Sequence, residues 1–430
     1  MHLFEDFEVR DGLSVHLWPT RKFRTSYLQI YLHCPLNDET ATFFNLLPAV
    51  LTRGTSDHPE TIELNKRLDM LYGASLSSTF SRRGERGLVT FTANMPDIRC
   101  EGKEPIGHLA KLLSDVMFSP ALDRGGLLRH DYLTQEKAGI INDIASMKDD
   151  KDAWAEYRCV ANMCKDEPYS VHAYGDEELL KSIGSEPLTS WWANVMPNLK
   201  ADIFAVGDFE SLEALEVISG AFGGHMMPSA DPGPAASGHD APCSPKVVTE
   251  TADTVQAKVV IGWRGASRWA EDDYAQHALA NHIFGQFPQS KLFMNIREKE
   301  GLAYSVGSKL EPTKGLVFAF AGVEQSKAGR AAELMLEQQR AMAAGDITEK
   351  EISDAKKSLV TGIRMAADSP PSMYSREMTG IVNGKRLSLE EACLRIMGCT
   401  AGEVAEAASS WRPDTIFKLM PSGAERGGRA

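Results

Sequence analysis

The run NIREKEGLAYSVGSKLEP, residues 295–312, sets Arg297 and Tyr304 on either side of Gly301 and Leu302. A guanidinium presents N–H donors in a rigid fork and a phenol adds an O–H. Donors of this kind suit a carbonyl oxygen or an oxyanion. The plainer reading is that Arg297 is one charge on a solvated REKE face and Tyr304 an ordinary strand aromatic. The rest of the chain offers no sharper chemistry. It has no HExxH, HxxEH, GxSxG, Walker loop or GxGxxG. His277 and His282 lie five apart on a predicted helix, so they point well away from each other and read as core or surface residues rather than as metal ligands. Trp191 and Trp192 read as helix packing residues. The seven cysteines (34, 100, 159, 164, 243, 393, 399) are an odd number at irregular spacings. Cys159/Cys164 and Cys393/Cys399 do not fit a CxxC zinc pattern, so all seven read as reduced thiols.

A second stretch, ATFFNLLPAVLTRGT (41–55), predicts a helix over 38–51. Asn37 and Asp38 can cap its start, and RGT is a stop signal. Phe43, Phe44, Leu46, Leu47, Ala49, Val50 and Leu51 face all ways, which predicts a buried helix. Pro48 stands inside it, where proline removes a backbone hydrogen bond at a cost of about 3 kcal/mol.

The 430 residues, 43% hydrophobic and 24% charged, suffice for two or three globular domains. A net charge of −13 without a lysine/arginine block argues against nucleic acid or an anionic membrane as a partner. The acidic start MHLFEDFEVRDGL lacks the order of a signal peptide, and no apolar run approaches the roughly 20 residues of a membrane span. The expectation is a cytoplasmic protein. Residues 226–246, MMPSADPGPAASGHDAPCSPK, read as a linker, and 421–430 as a tail.

A linker near the midpoint prompts a search for a repeat. GASLSSTFSRRGERGLVTFTA (73–93) lies over GLAYSVGSKLEPTKGLVFAFA (301–321) without a gap, at a constant offset of 228. Gly73/Gly301, Ser77/Ser305, Gly87/Gly315, Leu88/Leu316, Val89/Val317 and Ala93/Ala321 are identical. Each copy reads as strand, turn, strand after an amphipathic helix. The expected fold is α+β. Two homologous domains, 1–225 and 247–420, would each be a largely antiparallel sheet covered by helices.

The pattern R-x-x-x-G-L-x-Y-S, carried by Arg297, Gly301, Leu302, Tyr304 and Ser305, resembles the C-terminal half of the pitrilysin/insulinase-type metallopeptidases, the inverted zincins with an HxxEH motif. ALANHIFGQFPQSKLF before it, DEPYSVHAYGDEELLKSI (166–183) and KADIFAVGDF (200–209) extend the likeness over nearly the whole chain. The resemblance implies a half-clamshell of two domains and a peptide-contacting role for Arg297 and Tyr304. It also implies that the helix before RGT once carried HxxEH. Those positions now hold Asn45, Leu46, Leu47, Pro48 and Ala49, so both histidines are replaced and the glutamate position is Pro48. The position of the third zinc ligand falls on Asp143, seven residues after Glu136, farther from the motif than is usual.

A lone aspartate, or Asn45 with Asp143, is too poor a donor set for zinc, which takes three protein ligands at a catalytic site. The chain is therefore expected to hold no metal and no cofactor, with zinc only in a partner subunit. What the resemblance implies is a non-catalytic subunit that pairs with an HxxEH-bearing sibling, or with itself, around a short or unfolded peptide. An edge strand near Gly73–Thr79 would serve β-augmentation of that peptide. The acidic charge leans toward basic peptides. Two other readings stay open: a scaffold with no proteolytic role, and a hydrolase with a different catalytic set.

Overall fold

The computed structural model describes residues 3–98 and 104–422. Cys100 and most of the expected tail lie outside them. By internal packing the chain divides into two units. One runs to Ile144 and resumes at Val171–Pro234; the other takes Ala145–Ser170 and everything from Ala235 on.

The first unit holds a six-stranded sheet in the order β1-β2-β6-β3-β5-β4. Its strands are β1 (Glu5–Arg10), β2 (Leu13–Pro19), β3 (Thr25–Pro35), β4 (Ser75–Arg83), β5 (Arg86–Pro96) and β6 (Lys200–Gly207). The second holds β7-β11-β8-β10-β9, built from β7 (Lys246–Ala252), β8 (Ala257–Arg264), β9 (Ala303–Glu311), β10 (Leu316–Val323) and β11 (Arg412–Pro421). Without β1, the first sheet matches the second strand for strand. The β2–β6 and β7–β11 pairs are parallel and all others antiparallel. The duplication read from one hairpin thus extends to the whole sheet.

Gly73 and Gly301 occupy equivalent backbone states, φ +76° and +60°, where a side chain would be strained. Each reverses the chain into an edge strand. The ungapped superposition holds only up to the turn, and beyond it the two second strands are out of step by two residues. Arg83 pairs with Arg86 across two residues, whereas Glu311 pairs with Leu316 across four. Gly87 is therefore a strand residue while Gly315 is in the turn at φ +68°.

Helix α1 spans Asp38–Leu51, as its cap and stop residues predict. Asn37 and Thr40 form a reciprocal capping box. Trp191 stacks on Phe43 at 4.3 Å and meets Phe44 edge-on, and the indole of Trp192 donates to Met117 O at 2.7 Å. Helices α2 (Thr61–Met70) and α3 (Pro105–Phe118) follow.

The long helical stretch expected over 128–165 is two helices, α4 (His130–Asp149) and α5 (Lys151–Met163). Asp150 breaks it by turning its carboxylate onto the backbone N–H groups of Asp152 and Ala153. Ala155, Cys159, Val160 and Met163 of α5 then pack with Val260, Phe318 and Phe417. This packing, a long-range contact invisible to local pattern, places 145–170 in the second unit rather than in an N-terminal domain ending at 225. Residues 226–246 hold no regular element before β7, but the segment is fastened. Arg86 holds Asp231 and the carbonyl of Gly233, and Lys200 reaches Asp231 at 3.1 Å.

Beneath that segment lies a buried polar chain. Both ring nitrogens of His16 face carboxylates, Nδ1 to Asp6 at 2.6 Å and Nε2 to Asp202 at 2.8 Å. Two acceptors require two N–H donors, so His16 is the imidazolium. Burial alone would lower its pKa, but Asp202 and Asp6 outweigh burial and raise it. Asp202 is held well below the usual carboxylate range: burial opposes ionisation, and His16 and His33 overcome it.

His16 contributes stability fully below its unfolded value of 6.5 and loses it as pH rises through the raised folded value. Asp202 contributes fully above 3.8 and loses that as pH falls. Both act together between these limits. The stability difference between wild type and His16→Gln should therefore be largest there and shrink on going to about pH 9, each tenfold change in proton affinity counting for about 1.4 kcal/mol. Urea titrations at several pH values check this; a difference that grows with pH would contradict it.

Five of the described cysteines are buried and Cys243 is exposed; none is bridged. Burial pushes the thiols of Cys34 and Cys164 up to about 12. Among the described residues no helix is long and apolar enough to cross a membrane.

Candidate functional site

The face of α1 that aligns with HxxEH is occupied by other bonds. The amide nitrogen of Asn45 donates to Ala41 O and to Ala173 O, both at 2.8 Å. The backbone N–H of Asp176 donates to Thr42 Oγ1 at 2.8 Å. Between these contacts Gly175 sits at φ +74°, and a Cβ there would fall 2.5 Å from the Thr42 nitrogen. Only glycine permits the 173–176 segment to lie this close to the helix.

Glu136 is engaged by Arg53 at 2.8 Å, and Asp143 on α4 is exposed. Asp143 acts on Tyr174, whose phenol is raised first by burial and then by this carboxylate. A carboxamide with both visible bonds on carbonyls, a methyl, a pyrrolidine ring and an exposed carboxylate do not fit zinc. Among the described residues no group of three or more His, Cys, Asp or Glu is arranged to hold a metal.

Pro48 remains as a backbone defect on this helix. We expect Pro48→Ala to stabilise the protein by about 1–2 kcal/mol. The restored helical hydrogen bond is worth more than the entropy proline removes from the unfolded chain and the packing its ring supplies. A raised denaturation midpoint checks this, and a lowered one would show that the ring is needed where it sits.

Arg297 and Tyr304 stand in the second unit. Residues Phe293–Lys299 form a wide turn of helix, a geometry often found at functional sites. The Arg297 guanidinium lies over the Phe293 ring at 4.9 Å, and Glu298 approaches only to 3.9 Å. Tyr304 is the second residue of β9 and is 59% exposed. β9 is an edge strand bonded only to β10, as β4 is bonded only to β5. The edge expected near Gly73–Thr79 is thus β4, whose exposure alternates along its length.

His277 and His282 are core histidines. His277 Nδ1 accepts from the Trp411 indole at 2.9 Å, and burial lowers the pKa of both.

The family description "Peptidase M16 inactive domain" matches residues 183–359. The probable inactive metalloprotease YmfF of Bacillus subtilis is 30% identical over 411 residues, covering 95% of this chain and 96% of that protein. The chain belongs to the M16, or pitrilysin/insulinase-type, metallopeptidase family. It is an M16 chain without the HxxEH motif. An uncharacterized zinc protease of Streptomyces coelicolor is 23% identical over 66% of this chain and 63% of its own length. Two solved structures share the fold. A conserved protein from Enterococcus faecalis has a TM-score of 0.91, 23% identity and 99% and 100% coverage of the two chains. A peptidase M16 inactive domain from Pseudomonas fluorescens has a TM-score of 0.77, 17% identity and 98% and 99% coverage.

Sequence reading did not find the hold of 173–176 on the M16 motif helix. Its one local signal was the glycine of the P-Y-S…G run, Gly175.

Proposed function

We propose that this chain is a catalytically inactive, cytoplasmic M16 subunit that pairs with an HxxEH-bearing sibling and completes its peptide chamber. It supplies Arg297 and Tyr304 to hold the peptide, and the sibling supplies zinc. The observation that carries this reading is an asymmetry. The motif face of α1 is closed by bonds from Asn45 and Thr42 to residues 173–176, whereas Arg297 and Tyr304 remain exposed, and among the described residues the one carboxylate within 4 Å of the Arg297 guanidinium is Glu298, at 3.9 Å. The edge strands β4 and β9 suit addition of an extended peptide. A relative described as a probable inactive metalloprotease supports loss of catalysis.

The test is to co-express the chain with HxxEH proteins of similar size from the same genome, isolate complexes, and assay a quenched peptide library. Cleavage should require both chains. Cleavage by this chain alone would overturn the proposal. A stable complex indifferent to both Arg297 and Tyr304 would point to a scaffold.

A further inference from the structure

A second set of residues in the C-terminal unit has no part in that reading. The helices Tyr274–Asn281, Glu349–Ala366, Pro370–Val382 and Leu389–Gly398 line a half-open cavity of about 140 Å³. Its walls are mainly apolar: Trp269, Ala275, Ala278, Leu359, Ile363 and Ile396. A cavity of roughly this size holds a benzene-sized molecule. Arg376 also lines it.

Arg376 is half-buried, and the two fully buried arginines among the described residues are paired. Arg264 has Glu167 and Asp414, and Arg86 has Asp231. Arg376 has no carboxylate within 4 Å among the described residues. Its Nε is buried without a hydrogen-bond partner, and its Nη2 makes one long bond, 3.3 Å, to Leu387 O. Neighbouring Glu377 is committed to Arg386 at 2.7 Å, and Glu271 at the exposed rim accepts from the Arg268 backbone. Burial lowers the Arg376 pKa, with Glu377 the first of the opposing influences.

The guanidinium is nevertheless held in place. It lies 5.1 Å from the centre of the Trp269 ring, and that indole is fixed by a 2.8 Å bond to Lys385 O. A buried cation left without its anion is costly, whereas a paired and hydrogen-bonded one is not. A rigid fork at the wall of an apolar cavity matches a carboxylate on an apolar body. Arg395 also lines the cavity and lies 3.8 Å from Asp272.

We propose that this cavity binds a small apolar monocarboxylate, its carboxylate on Arg376 and its four to six carbons against Leu359, Ile363 and Ile396. The same chemistry is presented by a free branched or aromatic acid and by the C-terminal leucine of a peptide.

Calorimetric titration of the full chain with 4-methylpentanoate, 4-methylpentanamide and a leucine-terminated tripeptide, free and amidated, tests this. The acid should bind at roughly millimolar or tighter, as a ligand of this size can, and the amide at least tenfold more weakly. Arg376→Met, which keeps bulk and removes charge, should abolish the difference between acid and amide. Ala278→Met, which fills the cavity and leaves Arg376 in place, should abolish binding of both and decides the matter should Arg376→Met not fold. Tighter binding of the free tripeptide than of the acid would assign the pocket to chain ends, and the reverse to a free acid. Equal binding of acid and amide, no binding at roughly 10 mM, or binding that survives Ala278→Met would overturn the proposal.

Discussion

Arg264→Met should destabilise the C-terminal unit by about 3–5 kcal/mol, the range for removing one partner from a buried ion network. Arg264 lies at the end of β8. Its Nε donates to Asp414 at 2.8 Å, and its Nη2 donates to Glu167 at 2.6 Å and to Met163 O at 2.9 Å. Lys314 takes the other Glu167 oxygen at 2.5 Å. All four residues are less than 10% exposed. Burial works against the Arg264 charge, and the two carboxylates more than restore it.

Methionine fills similar space but leaves Asp414 without its cation and Glu167 with Lys314 and, at 3.6 Å, His239. Met163 and Glu167 belong to the segment 145–170, so the network also fastens that segment to the sheet of its own unit. Replacing all four members by apolar residues of similar volume should cost less than Arg264→Met alone, because no charge is then stranded. Urea unfolding of both variants checks the pair of expectations. A loss below about 1 kcal/mol for Arg264→Met would show the network to be solvated in solution.

Arg297→Ala, in a complex of this chain with an HxxEH sibling, should lower kcat/KM for peptide cleavage about 100-fold, near 2.7 kcal/mol. That is the low end for removing one preorganised donor to an oxyanion. Tyr304→Phe, which removes a single hydroxyl, should cost about tenfold. The way the loss divides reports the role. A fall in kcat at constant KM means that Arg297 acts on charge formed in the transition state; a rise in KM alone means that it holds the bound peptide. Neither substitution should split the complex or lower its stability by more than about 0.5 kcal/mol, since both side chains are exposed. Unchanged cleavage by both variants would remove these residues from the account.

What sequence alone made legible was local. Asn37 and the RGT stop placed α1 to the residue. Gly73 and Gly301 marked the same reversal into an edge strand, because positive φ is a requirement the residue type announces. What stayed hidden was set by distant partners. Nothing near Asp150 says that α5 continues into a different sheet; that follows from Val260, Phe318 and Phe417, about a hundred residues or more away. Nor does any local pattern tie Arg264 to Glu167 and Asp414, or leave Arg376 beside a cavity with no anion. At the motif helix, replacement of the family's ligands by Asn45 and Ala49 was readable, but closure of that face by 173–176 was not, since Ala173 contributes only a carbonyl. The hairpin turns show the same limit: an ungapped identity match over 21 residues carried no sign that one turn has two residues and the other four.

The most direct test of the central claim is the zinc content of the purified chain, measured by elemental analysis alone and in complex with an HxxEH sibling, after dialysis against a weak chelator. The account predicts no stoichiometric zinc in this chain by itself and one zinc per complex, lost when the sibling's histidines are replaced and retained when Asp143 of this chain becomes alanine. One zinc per isolated chain would contradict it.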